Sequence, residues 1–285
     1  MFDLISCVRD LHDLRLVALA AAICVLGCAT LLLLLRRAEE CRTAIRPIWL
    51  GLAAFSGGIG VWSTHFVAML AYQSPMPMTF DLSQTLLSIG YIFMLWGGAL
   101  YLLFPARTWP GAIGAGVMFA AGVAAMHYTG MMAIRLSAQI HIDIVPCVIG
   151  VVLAAVLFSL AFAVRVRAAS RWQLPAALGL LVLGIVALHF TGMSAVSFTP
   201  DPRIVTPDSG IDRNWLIVSI VGVTCLLICV ATLAVFLDRY LTDLRGLIDA
   251  TMEGFVVVRE GRIVQANDAL CHLSGYSQSE LTSQR

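Results

Sequence analysis

The sequence predicts an all-α polytopic membrane protein. Seven transmembrane helices form three tandem two-helix repeats plus a connector helix, and the start of an α/β segment follows. Three observations lead there. The 285 residues are 60% hydrophobic and 12% charged, with a mean hydropathy of +0.90, whereas soluble domains carry roughly 45–50% apolar and 25% charged residues. Seven apolar stretches approach or exceed the ~20 residues that span a bilayer. A histidine recurs at a fixed interval along them. This composition excludes a disordered chain, a fibrous protein and an ordinary soluble enzyme, and makes the lipid bilayer the surrounding medium. The net charge of +1 points to no nucleic-acid partner. All 18 basic residues are arginine, so a retinal Schiff base and other lysine-based covalent chemistry are excluded.

The apolar stretches run over residues 14–35, 47–72, 84–104, 110–134, 144–164, 174–198 and 214–237. The first is too long for the core of a signal peptide, and Asp3, Asp10 and Asp13 dilute its basic flank. Arginines orient the set. Arg36, Arg37, Arg42 and Arg46 follow helix one, Arg107 follows helix three, and Arg165, Arg167 and Arg171 follow helix five. The opposite side has only Arg135, Arg203 and Arg213, besides the N-terminal Arg9 and Arg15. The positive-inside rule therefore predicts the N-terminus outside and the C-terminus in the cytoplasm. The eight cysteines show no C-x2-C pair, and Cys24/Cys28 and Cys225/Cys229 read as small packing residues within apolar runs. Ser74-Pro75-Met76-Pro77-Met78 reads as a tight loop, and His141 and Asp143 as a polar loop end.

His65, His127 and His189 are separated by 62 residues each time. Aligned on them, the even helices read GVWSTHFVAMLA from Gly60, GVAAMHYTGMMA from Gly122 and GIVALHFTGMSA from Gly184. The shared positions are glycine at −5, histidine at 0, phenylalanine or tyrosine at +1, methionine at +4 (Met69, Met131, Met193) and alanine at +6 (Ala71, Ala133, Ala195). A small residue, Ala68, Gly130 or Gly192, stands at +3. At about 100° per residue, histidine and the +4 methionine share one face. The −5 glycine and +6 alanine share roughly the opposite face, where small residues allow close helix packing. With helices two, four and six running the same way, the three His/Met pairs reach one depth, near the outer leaflet.

Imidazole with thioether suits a soft or borderline transition metal, copper above all. Calcium and magnesium want oxygen ligands, and the even helices carry no carboxylate. Polar residues within a membrane are costly and usually functional. The expected metal ligands are thus His65, Met69, His127, Met131, His189 and Met193.

The run Met126-His127-Tyr128-Thr129, with Thr64-His65-Phe66-Val67 and Leu188-His189-Phe190-Thr191, resembles the MHYT domain, a bacterial integral-membrane sensor module. The resemblance implies copper binding near the outer face of the inner membrane and, through it, sensing of O2, CO or NO. Thr64 and Leu188 depart from methionine at −1, so Met126 is a secondary ligand candidate. Tyr128 and His12 are two more, with helix capping or an interface role the competing reading for His12-Asp13.

Leu237, Leu241, Leu244 and Ile248 follow 4-3-4 spacing, as in a short coiled-coil seam. Residues 238–252 read as a signalling helix or linker after a membrane domain of residues 8–237, with a homodimer through helix seven and this linker. Glu253–Val258 and Ile263–Asn267 read as two strands, and Ala269–Tyr276 as a short helix. The run EGFVVVREGRIVQANDALCHLSGYSQSEL resembles the opening of a PAS domain, so the chain is expected to stop inside one. The resemblance implies outputs in cyclic-di-GMP turnover or histidine-kinase signalling. Heme held by two of the three histidines, and a copper or small-molecule transporter, are the rival readings. No catalytic residues are expected in this chain.

Overall fold

The computed structural model describes residues 13–41, 43–72, 78–103, 108–166, 171–201, 203–204, 213–250, 253–259 and 262–283. His12 and Met76 lie outside them. Among the described residues, seven helices are long and apolar enough to cross a membrane. They are α1 (Leu14–Glu40), α2 (Arg46–Ala71), α3 (Leu82–Leu103), α4 (Trp109–Met132), α5 (Ile144–Val166), α6 (Gln173–Ser194) and α7 (Arg213–Ala250). Local chemistry sets several starts. The Asp13 carboxylate accepts the Arg15 N–H ahead of α1, and the Thr108 hydroxyl accepts the Gly111 N–H ahead of α4. Proline in the first turn of α2 and of α4 sits where its missing N–H costs nothing.

Residues Met1–Ala231 and Thr232–Arg285 are two compact units. In the first, α1 to α6 pack in chain order into a ring that α6 closes on α1, and α4 also touches α2 and α6. The −5 glycines pack against the odd helices. A Cβ on Gly60 would lie 2.8 Å from Gly27 Cα of α1. One on Gly122 would lie 2.8 Å from Trp96 of α3, and one on Gly184 2.5 Å from Phe158 of α5. They therefore bind each even helix to the odd helix before it. The close packing these glycines allow is thus with the odd helices and not between the even ones.

The ends of these pairs are tied by a repeated bond. The backbone N–H of Asp13, Asp81 and Asp143, each just ahead of an odd helix, donates to the carbonyl of Ala71, Ala133 and Ala195 at 2.8 Å in every case. The +6 alanines, buried, thus mark where the even helices stop. Beyond them the chain forms strands, and residues 134 and 196–198, expected to end helices four and six, lie in strands. β1 (Thr79–Phe80) pairs antiparallel with β2 (Ile134–Arg135), and β3 (Ala138–Ile142) with β4 (Val196–Pro200). Val196, Phe198 and Thr199, residue types enriched in strands, and the polar step at Ser137 favour pairing over continued helix. His141 lies exposed on β3. The Ser83 hydroxyl, the Gln84 N–H and the Arg135 guanidinium hold the Asp81 carboxyl well below the usual carboxylate range. At the other end of the helices, Arg165 of α5 pairs with Glu39 of α1 at 2.6 Å.

Helix α7 continues through Leu237 to Ala250 without a break. It buries Leu216, Ile220 and Leu227 and exposes Trp215, Val218, Val221 and Phe236. The second unit holds the end of α7, a hairpin of β5 (Val256–Arg259) and β6 (Arg262–Ala266), α8 (Asp268–Ser274) and α9 (Gln278–Ser283). Asn267 organises it. The Asn267 side-chain oxygen accepts the N–H groups of Phe255 and Leu270, and its amide donates to the Glu253 carbonyl. Gly275, at φ 74°, ends α8 in the left-handed conformation that glycine adopts freely.

Candidate metal centre

His65, His127 and His189 meet where α2, α4 and α6 converge, and are 3%, 1% and 7% exposed. The Nδ1 atom of His65 lies 3.2 Å from Nδ1 of His127 and 3.4 Å from Nδ1 of His189. The rings stand nearly perpendicular to one another, at 76–82°, with centroids 4.9–5.5 Å apart. Among the described residues, this is the only group of three or more His, Cys, Asp or Glu side chains near enough to share a metal ion, with one nitrogen from each within 4.8 Å of the others.

The triad fits such an ion on two grounds. Metal–imidazole bonds of about 2.0 Å at trigonal to tetrahedral angles put the nitrogens about 3.3–3.5 Å apart; of the two Nδ1 separations, 3.4 Å lies inside that range and 3.2 Å just below it. The far nitrogens, Nε2, of His65 and His127 are buried without a hydrogen-bond partner among the described residues, so at that end no hydrogen bond holds either ring, and the Nδ1 atom of His65 lies within hydrogen-bonding distance of those of His127 and His189 inside the triad.

A small cavity adjoins the triad, lined by Val61, Thr64, Val123, Met126, Ile185 and Leu188 besides the three histidines. These are the −4 and −1 positions of the repeat. They fall about 40° and 100° to one side of each histidine, whereas +4 falls about 40° to the other. Met126 is accordingly the one methionine in the lining. Met69, Met131 and Met193 are buried one turn further along their helices. Apart from Met126, the −4 and −1 positions carry no shared signature in the sequence: the −4 residues are plain apolar and the −1 residues differ between copies, although their helical phase marks them. The Thr64 hydroxyl is engaged by the carbonyls of Gly60 and Ala20, at 2.7 and 3.3 Å.

Each histidine is flanked edge-on by its own +1 aromatic, Phe66, Tyr128 or Phe190. The Tyr128 hydroxyl donates to the Cys147 carbonyl of α5 at 3.5 Å. It is directed at α5 and is not part of the cavity lining, so the structure does not bring it to the triad as a ligand.

The family model described as a bacterial signalling protein N-terminal repeat, MHYT, matches residues 58–116, 121–178 and 183–247. The chain belongs to the MHYT family. A PAS domain model matches residues 242–284. Each MHYT match starts within or near the second half of an even helix and runs through the next odd helix, so α7 falls in the third repeat. The Asp–Ala ties pair odd with even helices instead, cutting the same periodic chain at another point.

The chain is 34% identical to an uncharacterized signaling protein of Caulobacter vibrioides, over 99% of this chain and 35% of that one. It is 35% identical to the bifunctional diguanylate cyclase/cyclic di-GMP phosphodiesterase MucR of Pseudomonas aeruginosa, over 79% and 34%. It is 34% identical to the cyclic di-GMP phosphodiesterase NbdA of the same species, over 64% and 24%. The chain thus spans about a third of the length of the first two relatives. No solved structure matches it.

Proposed function

We propose that residues 8–237 are a membrane-embedded sensory input module. In this reading His65, His127 and His189 hold a copper ion, and the cue is a diatomic gas (O2, CO or NO) or a redox change. The observation that supports it best is the spacing of three buried imidazole nitrogens at metal-ligand distance inside a bundle of membrane-spanning helices. Copper, when bound, supplies a redox-active centre able to take a further ligand. The protein supplies a water-poor pocket, imidazoles in fixed orientation, and thioethers from Met69, Met131 and Met193, with Met126 placed on the cavity wall. Relatives that make or cleave cyclic di-GMP contain this region, which supports an output in cyclic-di-GMP turnover reached through residues 238–252 and the PAS start at 253–285. This chain is then the input rather than the enzyme. Leu237, Leu241 and Leu244, exposed on α7, are the proposed dimer contacts; the Ile248 side chain lies outside the described set.

Heme fits less well. A porphyrin would have to slide between rings whose nitrogens already stand 3.2 and 3.4 Å apart. A transporter needs donors spaced along a path, whereas these three meet at one level.

Metal analysis of the anaerobically purified protein is the test. About one copper per chain is expected, with no Soret band. Replacing Met126 or a +4 methionine by leucine, which nearly conserves volume, should leave Cu(II) bound and weaken Cu(I) in a competition assay. A wild-type protein that holds no copper in either oxidation state would sink the reading.

The orientation is proposed to follow the arginine asymmetry, in the bacterial inner membrane. A topology reporter at the C-terminus should register cytoplasm and one inserted beside Met76 the outer side. Both on one side would contradict the orientation and the outer-leaflet depth of the site.

A further inference from the structure

We infer that Gly130 and Gly192 are positioning residues of the triad: their missing side chains seat the Nε2 edges of His65 and His127 and so turn the Nδ1 atoms inward. This rests on the metal reading for its chemistry, but not for its geometry. A Cβ on Gly130 of α4 would lie 2.5 Å from His65 Nε2 and 3.0 Å from its Cδ2. A Cβ on Gly192 of α6 would overlap His127 Nε2 outright and lie 2.9 Å from its Cδ2. Both glycines stand at +3 in their repeats, so each ring leans on the next even helix at the same offset. The corresponding residue of α2 is Ala68.

The seat matters because of what is missing around it. A metal-bound imidazole is ordinarily oriented by a hydrogen bond from its other nitrogen to a carbonyl, a carboxylate or water. Nε2 of His65 and of His127 has no such partner among the described residues, and both rings are at least nine-tenths buried. Shape replaces the bond. The glycine backbone receives Nε2 at one end of the flat ring, and the opposite end, Nδ1, is left facing the other histidines at 3.2 and 3.4 Å. The +1 aromatic of the same helix stands edge-on beside the ring and limits its rotation. The structure thus assigns Nδ1 as the ligating atom.

The assignment can be read with and without metal, on the whole chain in detergent. Gly130→Ala should lower the melting temperature by several degrees in the wild-type background. It should have little effect in a His65→Ala background, where the added methyl meets no ring, yet keep its effect in a His127→Ala background. Gly192→Ala should show the reverse pairing, with His127 and not His65. This double-mutant coupling is not expected of a glycine that merely packs helices. Gly122→Ala, whose methyl would meet Trp96, serves as that control and should couple to neither histidine. In Cu(II) titrations, Gly130→Ala and Gly192→Ala should lose affinity about 10–100-fold, the usual cost of losing an orienting partner, and change the EPR spectrum. Gly122→Ala should keep the wild-type spectrum. If either single glycine variant fails to fold, its double variant with the paired histidine should fold; failure of that rescue overturns the inference. Equal destabilisation in all backgrounds overturns it too, even if copper binds. Correct pairing in a wild-type protein that binds no metal would uphold the seat and dismiss the copper.

Discussion

Replacing any one of His65, His127 and His189 by alanine is expected to strip most of the copper from the protein, with His65→Ala the most severe. The Nδ1 atom of His65 faces both other rings, at 3.2 and 3.4 Å, so its loss leaves the remaining two without their common neighbour. An imidazole is a stronger donor than a thioether and less sensitive to the copper oxidation state. The loss should therefore exceed the 10–100-fold typical of outer-shell changes. Methionine variants, by contrast, should discriminate between Cu(I) and Cu(II). Metal content measured beside a gel-filtration profile separates lost coordination from lost folding. Should the triple His→Ala variant fold and keep wild-type copper, the ion sits elsewhere.

The second large effect is on stability, at a glycine away from the triad. A Cβ on Gly116 of α4 would overlap the backbone nitrogen and Cα of Ser159 on α5. A flexible side chain could rotate away from such a clash, but backbone cannot, so α4 and α5 would have to separate along the contact. Overpacking a fitted core costs typically about 1–3 kcal/mol and occasionally more, and Gly116→Ala belongs at or above the top of that range. Gly97→Ala on α3 supplies the contrast. Nothing lies within 4 Å of its added methyl, and removing glycine from a helix interior there should gain roughly 0.5–1 kcal/mol. Thermal unfolding of the two variants in one detergent decides the matter. Similar midpoints would mean that the α4–α5 contact is looser than it stands here.

Most of the fold is legible in the sequence, because bilayer thickness converts composition directly into helix count. The 62-residue recurrence of His65, His127 and His189 likewise led to three side chains that do meet. What it did not convey is which surface of each even helix turns inward. Glycine at −5 and alanine at +6 marked a close-packing face without naming the helix it meets. Gly60, Gly122 and Gly184 fit Gly27, Trp96 and Phe158 on the odd helices. Small residues announce a close approach but not its partner. Apart from Met126, the cavity wall was hidden for the opposite reason. Val61, Val123 and Ile185 are interchangeable apolar residues, and Thr64, Met126 and Leu188 share no chemistry. The β1–β2 pair was missed because each strand has two residues, too short for an alternating pattern, whereas β3, read as a polar loop end at His141, does alternate over Ala138–Ile142.

The Asp–Ala ties make each even helix a lever. Ala71, Ala133 and Ala195 are fixed to the neighbouring aspartates and act as fulcra. The histidines stand six residues away, about 9 Å at 1.5 Å per residue. The far ends, Arg46, Trp109 and Gln173, are about 33–37 Å away on the same scale. A rigid helix turning about its tie multiplies a displacement at the imidazole by about four at the opposite end. Half an ångström of change in the spacing of three nitrogens would then become about 2 Å of travel at the opposite ends of the helices, among residues far from the imidazoles.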